Sequence, residues 1–260
     1  MVEWARVVCA GAAVGLVGGL IGLGGAEFRL PLLIGLFGFA ALEAVILNKV
    51  TSLIVVATAL PFRSGAVPLD LVMAEWPIIL NLLAGSLAGA WLGAGLAVRM
   101  QSRTLYRVLA GLLVLIAAVL ALSHGATHSS AVLVTGWAQV VAGLMAGFGI
   151  GIVASLMGVA GGELLIPTLV LLFGMDLKLA GSLSLVISLP TMLVGFARYR
   201  LDDSFSVVAR NRGFVALMAA GSVLGVGVGG LLLGTVPDAI LLPVLVAILL
   251  VSSVKVWRHG

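Results

Sequence analysis

The chain has 260 residues, of which 62% are hydrophobic and only 9% are charged, and its mean hydropathy is +1.29. Soluble domains carry about 25% charged residues, so this chain has too little charge to cover a surface that faces water. The composition excludes a soluble domain and predicts an integral membrane protein, in which a net charge of +4 does not indicate nucleic acid. The single cysteine, Cys9, excludes a disulfide framework and a cysteine-based metal site.

Ten apolar segments follow one another along the chain. Their approximate bounds are 4–22, 27–39, 42–61, 75–97, 104–122, 135–157, 162–175, 178–197, 213–234 and 238–256. A full membrane crossing takes about 20 apolar residues, so the second and seventh segments are short. They cross the membrane only if they tilt or the bilayer thins locally, or else they are halves of broken helices.

The basic residues indicate the orientation. If all ten segments cross alternately, ten of the 14 Lys and Arg residues lie on one side together with both termini. Cytoplasmic loops carry an excess of Lys and Arg, so we expect both termini in the cytoplasm. These ten residues are Arg6, Arg99, Arg103, Arg107, Arg198, Arg200, Arg210, Arg212, Lys255 and Arg258.

The chain contains an internal repeat, because residues 15–96 align with residues 151–232 without a gap. Five segments in each half is an odd number, so the halves are expected to have opposite orientations. Such inverted repeats are typical of secondary transporters, which bind substrate near the midplane. We therefore predict an all-α polytopic membrane protein with broken helices. It divides into a first repeat (1–122), a linker loop (123–134) and a second, inverted repeat (135–260).

The strongest repeat matches fall in two glycine-rich stretches, 22–31 and 158–167, which share Gly-Gly-x-Glu-x-x-x-Pro or a close variant. Glycine lets a chain leave a helix, and proline is tolerated in the first turn of the next one. Each stretch thus predicts a helix that unwinds and restarts, with free N–H groups that suit a small anion. The alternative is a tight connection at the membrane surface. The candidate anion contacts are Gly24, Gly25, Ala26, Gly161 and Gly162.

Charged residues occur within and beside these stretches. Arg29 and Lys49 add positive charge in the first half only, and are candidates to hold an anion. Glu27 and Glu163 occupy equivalent positions, and carboxyl groups at membrane depth often mark proton relays. The alternative is structural: Glu27 pairs with Arg29 or Lys49, and Glu163 caps the helix that follows it.

Polar residues on the third and eighth segments complete the candidate site. Asn48 and Ser52 lie four residues apart and share a helix face with Lys49 beside them, and Ser184 and Ser188 are their repeat counterparts. Such hydroxyl and amide groups line a hydrophilic site, or else bond to backbone carbonyls and hold helices together.

Two rows of glycines have a different expected role. Their spacing of four residues is typical of helices that pack closely, and we assign them to packing and not to substrate. The rows are Gly85, Gly89 and Gly93, and Gly221, Gly225 and Gly229.

The duplicated glycine-rich stretch with its following proline, in a chain of this length and hydropathy, resembles the sulfite exporter TauE/SafE family of bacterial membrane transporters. The resemblance covers nearly the whole chain and implies export or uptake of sulfite, organosulfonates or related small oxoanions across the bacterial cytoplasmic membrane. Ala26 stands where a third glycine is common in the family, and Ala160 precedes Gly161. Glu27 and Arg29 occupy positions that are often apolar in its members.

Together these features predict a secondary transporter that moves a small sulfur-containing anion by alternating access, with a proton coupled through Glu27 or Glu163. The alternatives are a passive anion channel, a transporter of a different small organic anion, and a membrane-embedded enzyme. The last lacks the clustered His, Cys or Asp that such chemistry needs. The expected partners are the anion and the lipid bilayer, without nucleic acid, metal or cofactor, and a homodimer is compatible with the sequence.

Overall fold

The computed structural model of the protein describes residues 2–21, 25–63, 69–126, 135–232 and 238–259. Within these ranges the regular secondary structure is helical, as expected, and includes a short 3₁₀ turn at Asp203–Phe205. The α-helices are α1 (Val2–Ile21), α2 (Ala26–Gly35), α3 (Ala41–Arg63), α4 (Leu69–Ala74), α5 (Trp76–Arg99), α6 (Ser102–Ala126), α7 (Trp137–Met157), α8 (Gly162–Phe173), α9 (Leu177–Tyr199), α10 (Ser206–Arg210), α11 (Arg212–Leu231) and α12 (Asp238–Trp257).

Each of the ten apolar segments corresponds to one helix, with ends within a few residues of the expected bounds. Among the described residues, six helices are long and apolar enough to cross a membrane, namely α3, α5, α6, α7, α9 and α11. The helices α2 and α8 have 10 and 12 residues. At about 1.5 Å per residue they reach little more than half of the roughly 30 Å hydrocarbon core. The ten-crossing topology therefore stays a prediction.

Glycine rows bring two pairs of helices into backbone contact. A Cβ atom built on Gly225 of α11 would overlap the carbonyl oxygen of Ala12 on α1. A Cβ atom built on Gly89 of α5 would overlap the carbonyl oxygen of Phe148 on α7. The other four glycines of the two rows face the same helices in the same way, which confirms their expected role in close packing.

The halves of the chain pack crosswise. The helix α1 of the first half pairs with α11 of the second, and α5 of the first half pairs with α7 of the second. The helices α6 and α12 also pair, where Ser253 Oγ donates a hydrogen bond to the Ala110 carbonyl oxygen over 3.0 Å. The two halves are thus interleaved. Of the expected linker, residues 123–126 continue α6, and residues 127–134 lie outside the described ranges.

The beginning of α1 and the end of α12 lie at the same end of the bundle. The ring of Trp4 in α1 lies against Gly213 at the start of α11. Just before α11, Arg210 forms an ion pair of 3.5 Å with Glu43 at the start of α3. The preceding helix, α2, ends where Gly35 meets the side chain of Lys255 in the last turn of α12. These contacts link the beginning of α1 to the end of α12 through elements at one end of the bundle.

Replacing Gly225 with valine tests the close pairing of α1 and α11. The added side chain has no room against the α1 backbone, so Gly225→Val is expected to lower the free energy of unfolding by about 3 kcal/mol or more. Gly227→Val on the same helix is the matched control, because nothing lies within 4 Å of a Cβ atom built there. Thermal unfolding of the two variants in detergent measures the difference. Equal melting temperatures would contradict the packing described here.

Candidate functional site

Both glycine-rich stretches lie at helix ends, and the second forms a complete break. The helix α7 ends at Gly158, with φ of 69°, and α8 begins after Gly161, with φ of 85°. The helix α2 likewise begins after Gly25, the repeat equivalent of Gly161, with φ of 69°. Glycine adopts this left-handed conformation without the steric cost that other residues meet. The expected unwinding and restart is confirmed at 158–161, whereas residues 22–24, including the candidate Gly24, lie outside the described ranges.

One side chain on α3 joins the first glycine-rich stretch to the end of α7, directly before the second stretch. The Nδ2 atom of Asn48 donates to the carbonyl oxygen of Ala26 in the first turn of α2 over 3.0 Å. It also donates to the carbonyl oxygen of Met157 at the end of α7 over 3.1 Å. The Oδ1 atom of the same amide accepts a hydrogen bond of 3.3 Å from Arg29 Nη1. A single buried amide therefore holds the start of α2, the end of α7 and the Arg29 guanidinium at one place.

The guanidinium of Arg29 is completely buried, and its hydrogen-bond partners are neutral. Besides Asn48, it donates from Nη1 to Ser52 Oγ over 3.0 Å and from Nη2 to Ser222 Oγ over 3.2 Å. The Nε atom is buried without a partner. The ion pair of Arg210 with Glu43 does not involve this group. Glu27 interacts electrostatically with the guanidinium without forming an ion pair. A buried charge without a directly bound counter-charge is costly, and a guanidinium is well suited to two-point binding of an oxoanion.

The second buried cation, Lys49, follows Asn48 on α3 and points to the end of α7. Its Nζ atom donates to the carbonyl oxygens of Ala154 over 3.1 Å and Val159 over 3.3 Å. The Ala154 oxygen belongs to the last turn of α7, where the helix carries partial negative charge, and the Val159 oxygen belongs to the break that follows. Lys49 thus has protein partners in the backbone, and one of its three N–H groups remains for another ligand.

The carboxyl groups of Glu27 and Glu163 are buried and interact electrostatically with each other. Both oxygens of Glu27 and the Oε2 atom of Glu163 have no hydrogen-bond partner. Glu27 interacts electrostatically with Arg29 but makes no ion pair with Arg29 or Lys49, and Glu163 lies in the first turn of α8, where an acidic side chain is favourable. Two neighbouring carboxyl groups in an apolar interior repel each other when both are ionised.

The candidate serines differ in their surroundings. Ser52 accepts from the guanidinium, as described, and its repeat equivalent Ser188 is buried without a hydrogen-bond partner. Ser184 instead donates to the carbonyl oxygen of Gly181 in its own helix over 2.8 Å, which satisfies its hydroxyl group locally. Gly162 is buried in the first turn of α8, next to Glu163. Of these residues, the structure brings only Ser52 into contact with the guanidinium of Arg29.

Sequence reasoning missed Ser222, which reaches Arg29 from α11. Its repeat equivalent, Ser86, has no arginine to bind and shares a hydrogen bond of 2.7 Å with Thr191. A signal was present, because the Gly-Ser pair at 85–86 recurs at 221–222. The glycine spacing around it pointed to helix packing, and a hydroxyl group on a packed face gives no sign of its partner.

A protein-family model described as "Sulfite exporter TauE/SafE" matches residues 7–256. The matched range contains both glycine-rich stretches and every residue of the site described above. No curated protein and no solved structure matches the chain.

Replacing Asn48 with alanine tests whether its amide holds the site together. The change leaves the carbonyl oxygens of Ala26 and Met157 without this donor and removes one partner of Arg29. We expect Asn48→Ala to lower the free energy of unfolding by about 2–4 kcal/mol. Asn211→Ala is the control and is expected to cost less than about 1 kcal/mol, because Asn211 makes one local bond of 2.9 Å to Val207. Melting in detergent compares them, and an equal loss in both variants would rule out the bridging role.

Proposed function

Because the chain belongs to the sulfite exporter TauE/SafE family of membrane transporters, we propose that it is a secondary transporter of a small sulfur-containing anion, sulfite or an organosulfonate. The family consists of transporters and not of enzymes. The observation that carries the proposal is the guanidinium of Arg29 in the first glycine-rich stretch, which is completely buried and, among the described residues, donates hydrogen bonds only to neutral oxygens. Glu27 interacts electrostatically with this group but makes no ion pair with it, so an oxoanion that reaches the guanidinium supplies a counter-charge in direct contact.

In the proposed complex the anion binds beside Arg29 and exchanges with its hydroxyl partners. Hydrogen bonds to charged groups are shorter and about twice as strong as those between neutral groups, so an oxoanion competes well with Ser52 and Ser222 for the guanidinium. Lys49 adds positive charge from the neighbouring position on α3. Backbone N–H groups at the starts of α2 and α8 complete the anion site. The further proposed contacts are Gly24, Gly25, Ala26, Asn48, Gly161, Gly162, Ser184 and Ser188.

We further propose that the ten apolar segments form two inverted repeats in the inner membrane, with both termini in the cytoplasm. The crosswise packing supports this topology, since α1 and α5 are the repeat equivalents of α7 and α11, so the pair of α1 with α11 corresponds to the pair of α7 with α5. The end of the bundle that holds the beginning of α1 and the end of α12 also holds Arg210 and Lys255, in agreement with the excess of basic residues on cytoplasmic faces.

Transport by alternating access fits the burial of the site. The described polar side chains of the candidate site are no more than 3% exposed. They are Glu27, Arg29, Asn48, Lys49, Ser52, Glu163, Ser184, Ser188 and Ser222. A site closed off in this way favours a carrier that exposes it to one side at a time. A channel would instead offer its ligand a continuous path.

We propose that the pair of Glu27 and Glu163 couples a proton to the anion. Adding a proton to the pair removes one negative charge near Arg29 and Lys49, so the site becomes more positive and binds an anion more tightly. Linkage is reciprocal, so a bound anion also favours the protonated pair. The proton and the anion therefore move in the same direction, and their combined gradients decide between uptake and export.

Loss of the Arg29 guanidinium is expected to abolish anion binding. In proteoliposomes, Arg29→Gln should reduce saturable flux of labelled sulfite and methanesulfonate at least about tenfold, because the charged hydrogen bonds are lost. Arg99→Gln, at an exposed position in the last turn of α5, is the control and should retain flux. Full flux in Arg29→Gln would refute the anion site, and flux that does not saturate in the unmodified protein would favour a channel.

Removing the titratable carboxyl groups is expected to uncouple transport from the proton gradient. Methanesulfonate keeps its charge across the working range, so pH acts on the protein alone. A lower pH on the loading side should accelerate its uptake by the unmodified protein, and Glu27→Gln and Glu163→Gln should weaken or remove this response. Glu75→Gln, between α4 and α5, is the control. A response of unchanged size in both site variants would show that the proton moves elsewhere or not at all.

A further inference from the structure

The ammonium group of Lys49 is buried and donates hydrogen bonds to two backbone carbonyl oxygens. It is 1% exposed, and its Nζ atom donates to the carbonyl oxygens of Ala154 and Val159 over 3.1 and 3.3 Å. These two oxygens lie on either side of Gly158, where α7 ends in a left-handed turn. The ammonium thus occupies the negative end of a helix that stops inside the protein.

A third oxygen atom lies near these two and has no hydrogen-bond partner. Ser155 is completely buried, and its Oγ atom makes no hydrogen bond. Both this atom and Lys49 Nζ lie against Gly195: a Cβ atom built there would be 2.8 Å from Ser155 Oγ and 3.5 Å from Nζ. The backbone oxygen of Ser155 is occupied separately, by a hydrogen bond of 2.8 Å from Tyr199. The hydroxyl group is therefore free, and it flanks the same position at Gly195 as the ammonium.

This set of oxygen atoms is of the kind that binds a small monovalent cation. In secondary transporters, unwound backbone carbonyls and the carboxyl ends of half-helices coordinate coupling ions such as Na⁺. We infer that Ala154, Val159 and Ser155 form a monovalent-cation site that Lys49 fills with its own ammonium group. On this account Lys49 is a built-in counter-ion, and the unmodified protein needs no free cation at this position. The inference does not depend on which anion the protein transports.

Removing the ammonium group should open the site to free cations. The experiment measures the melting temperature of purified Lys49→Ala protein in detergent, with increasing NaCl or methylammonium chloride and with choline chloride as the matched salt. Because a ligand that binds only the folded state stabilises it, we expect a saturable rise of at least about 2 °C with Na⁺ or methylammonium over choline. The unmodified protein should show no such difference, because its site is occupied.

A second change tests the assigned ligands. The Lys49→Ala/Ser155→Ala double variant lacks the free hydroxyl group, so its half-saturating Na⁺ concentration should rise at least about threefold, or the Na⁺ effect should vanish. Methylammonium restores an N–H donor to the same carbonyl oxygens and should stabilise both variants. If Lys49→Ala does not yield folded protein, Lys49→Ser serves in its place. Serine also removes the ammonium group and frees most of the same volume, and it adds a hydroxyl group at that position.

The inference is overturned if folded Lys49→Ala or Lys49→Ser melts at the same temperature in Na⁺, methylammonium and choline. A Na⁺ effect of equal size in the unmodified protein would also overturn it, because the site would then not be filled by Lys49. No sulfur anion is present in these measurements, so a failure of the proposed transport function leaves their outcome unaffected.

Discussion

A positive charge enclosed in a helical bundle has to be held by whatever polar groups the surrounding helices supply, and this requirement shapes the centre of the protein. Arg29 receives oxygens from α3 and α11, and Asn48 on α3 ties the same guanidinium to the start of α2 and the end of α7. Four helices thus converge on one side chain. Left-handed glycines permit this convergence, because a continuous helix would leave no backbone oxygen free at Met157.

The helices α1, α5, α7 and α11 pack across the two halves of the chain. The crosswise pairs of α1 with α11 and α5 with α7 are held by glycine rows that admit backbone to backbone contact. They link the first half of the chain to the second on both sides of the site. A ligand that alters the contacts between the two glycine-rich stretches would therefore act on interfaces between the halves. In the proposed alternating-access mechanism, movement of one half against the other would act through these interfaces.

Much of the fold could be predicted from the sequence because its signals are local. The helix bounds follow from runs of apolar residues, the break at 158–161 from its glycines, and the close packing from rows such as Gly221 to Gly229. The site could be predicted only in part, since the direction of a side chain depends on tertiary contacts. Arg29 and Lys49 appeared equivalent as buried cations, yet one meets side-chain oxygens and the other meets backbone carbonyls. The interaction of Glu27 with Glu163 likewise depends on how the halves pack.

The central claim is that an oxoanion binds at Arg29, between the start of α2 and the break that follows α7. The most direct test is an experimental structure of the protein determined with sulfite or methanesulfonate at saturating concentration. The account predicts density for the anion within hydrogen-bond distance of the Arg29 guanidinium, with Ser52 or Ser222 displaced from it or sharing the anion. An anion bound elsewhere in the protein, with Arg29 keeping its three neutral partners, would contradict the account.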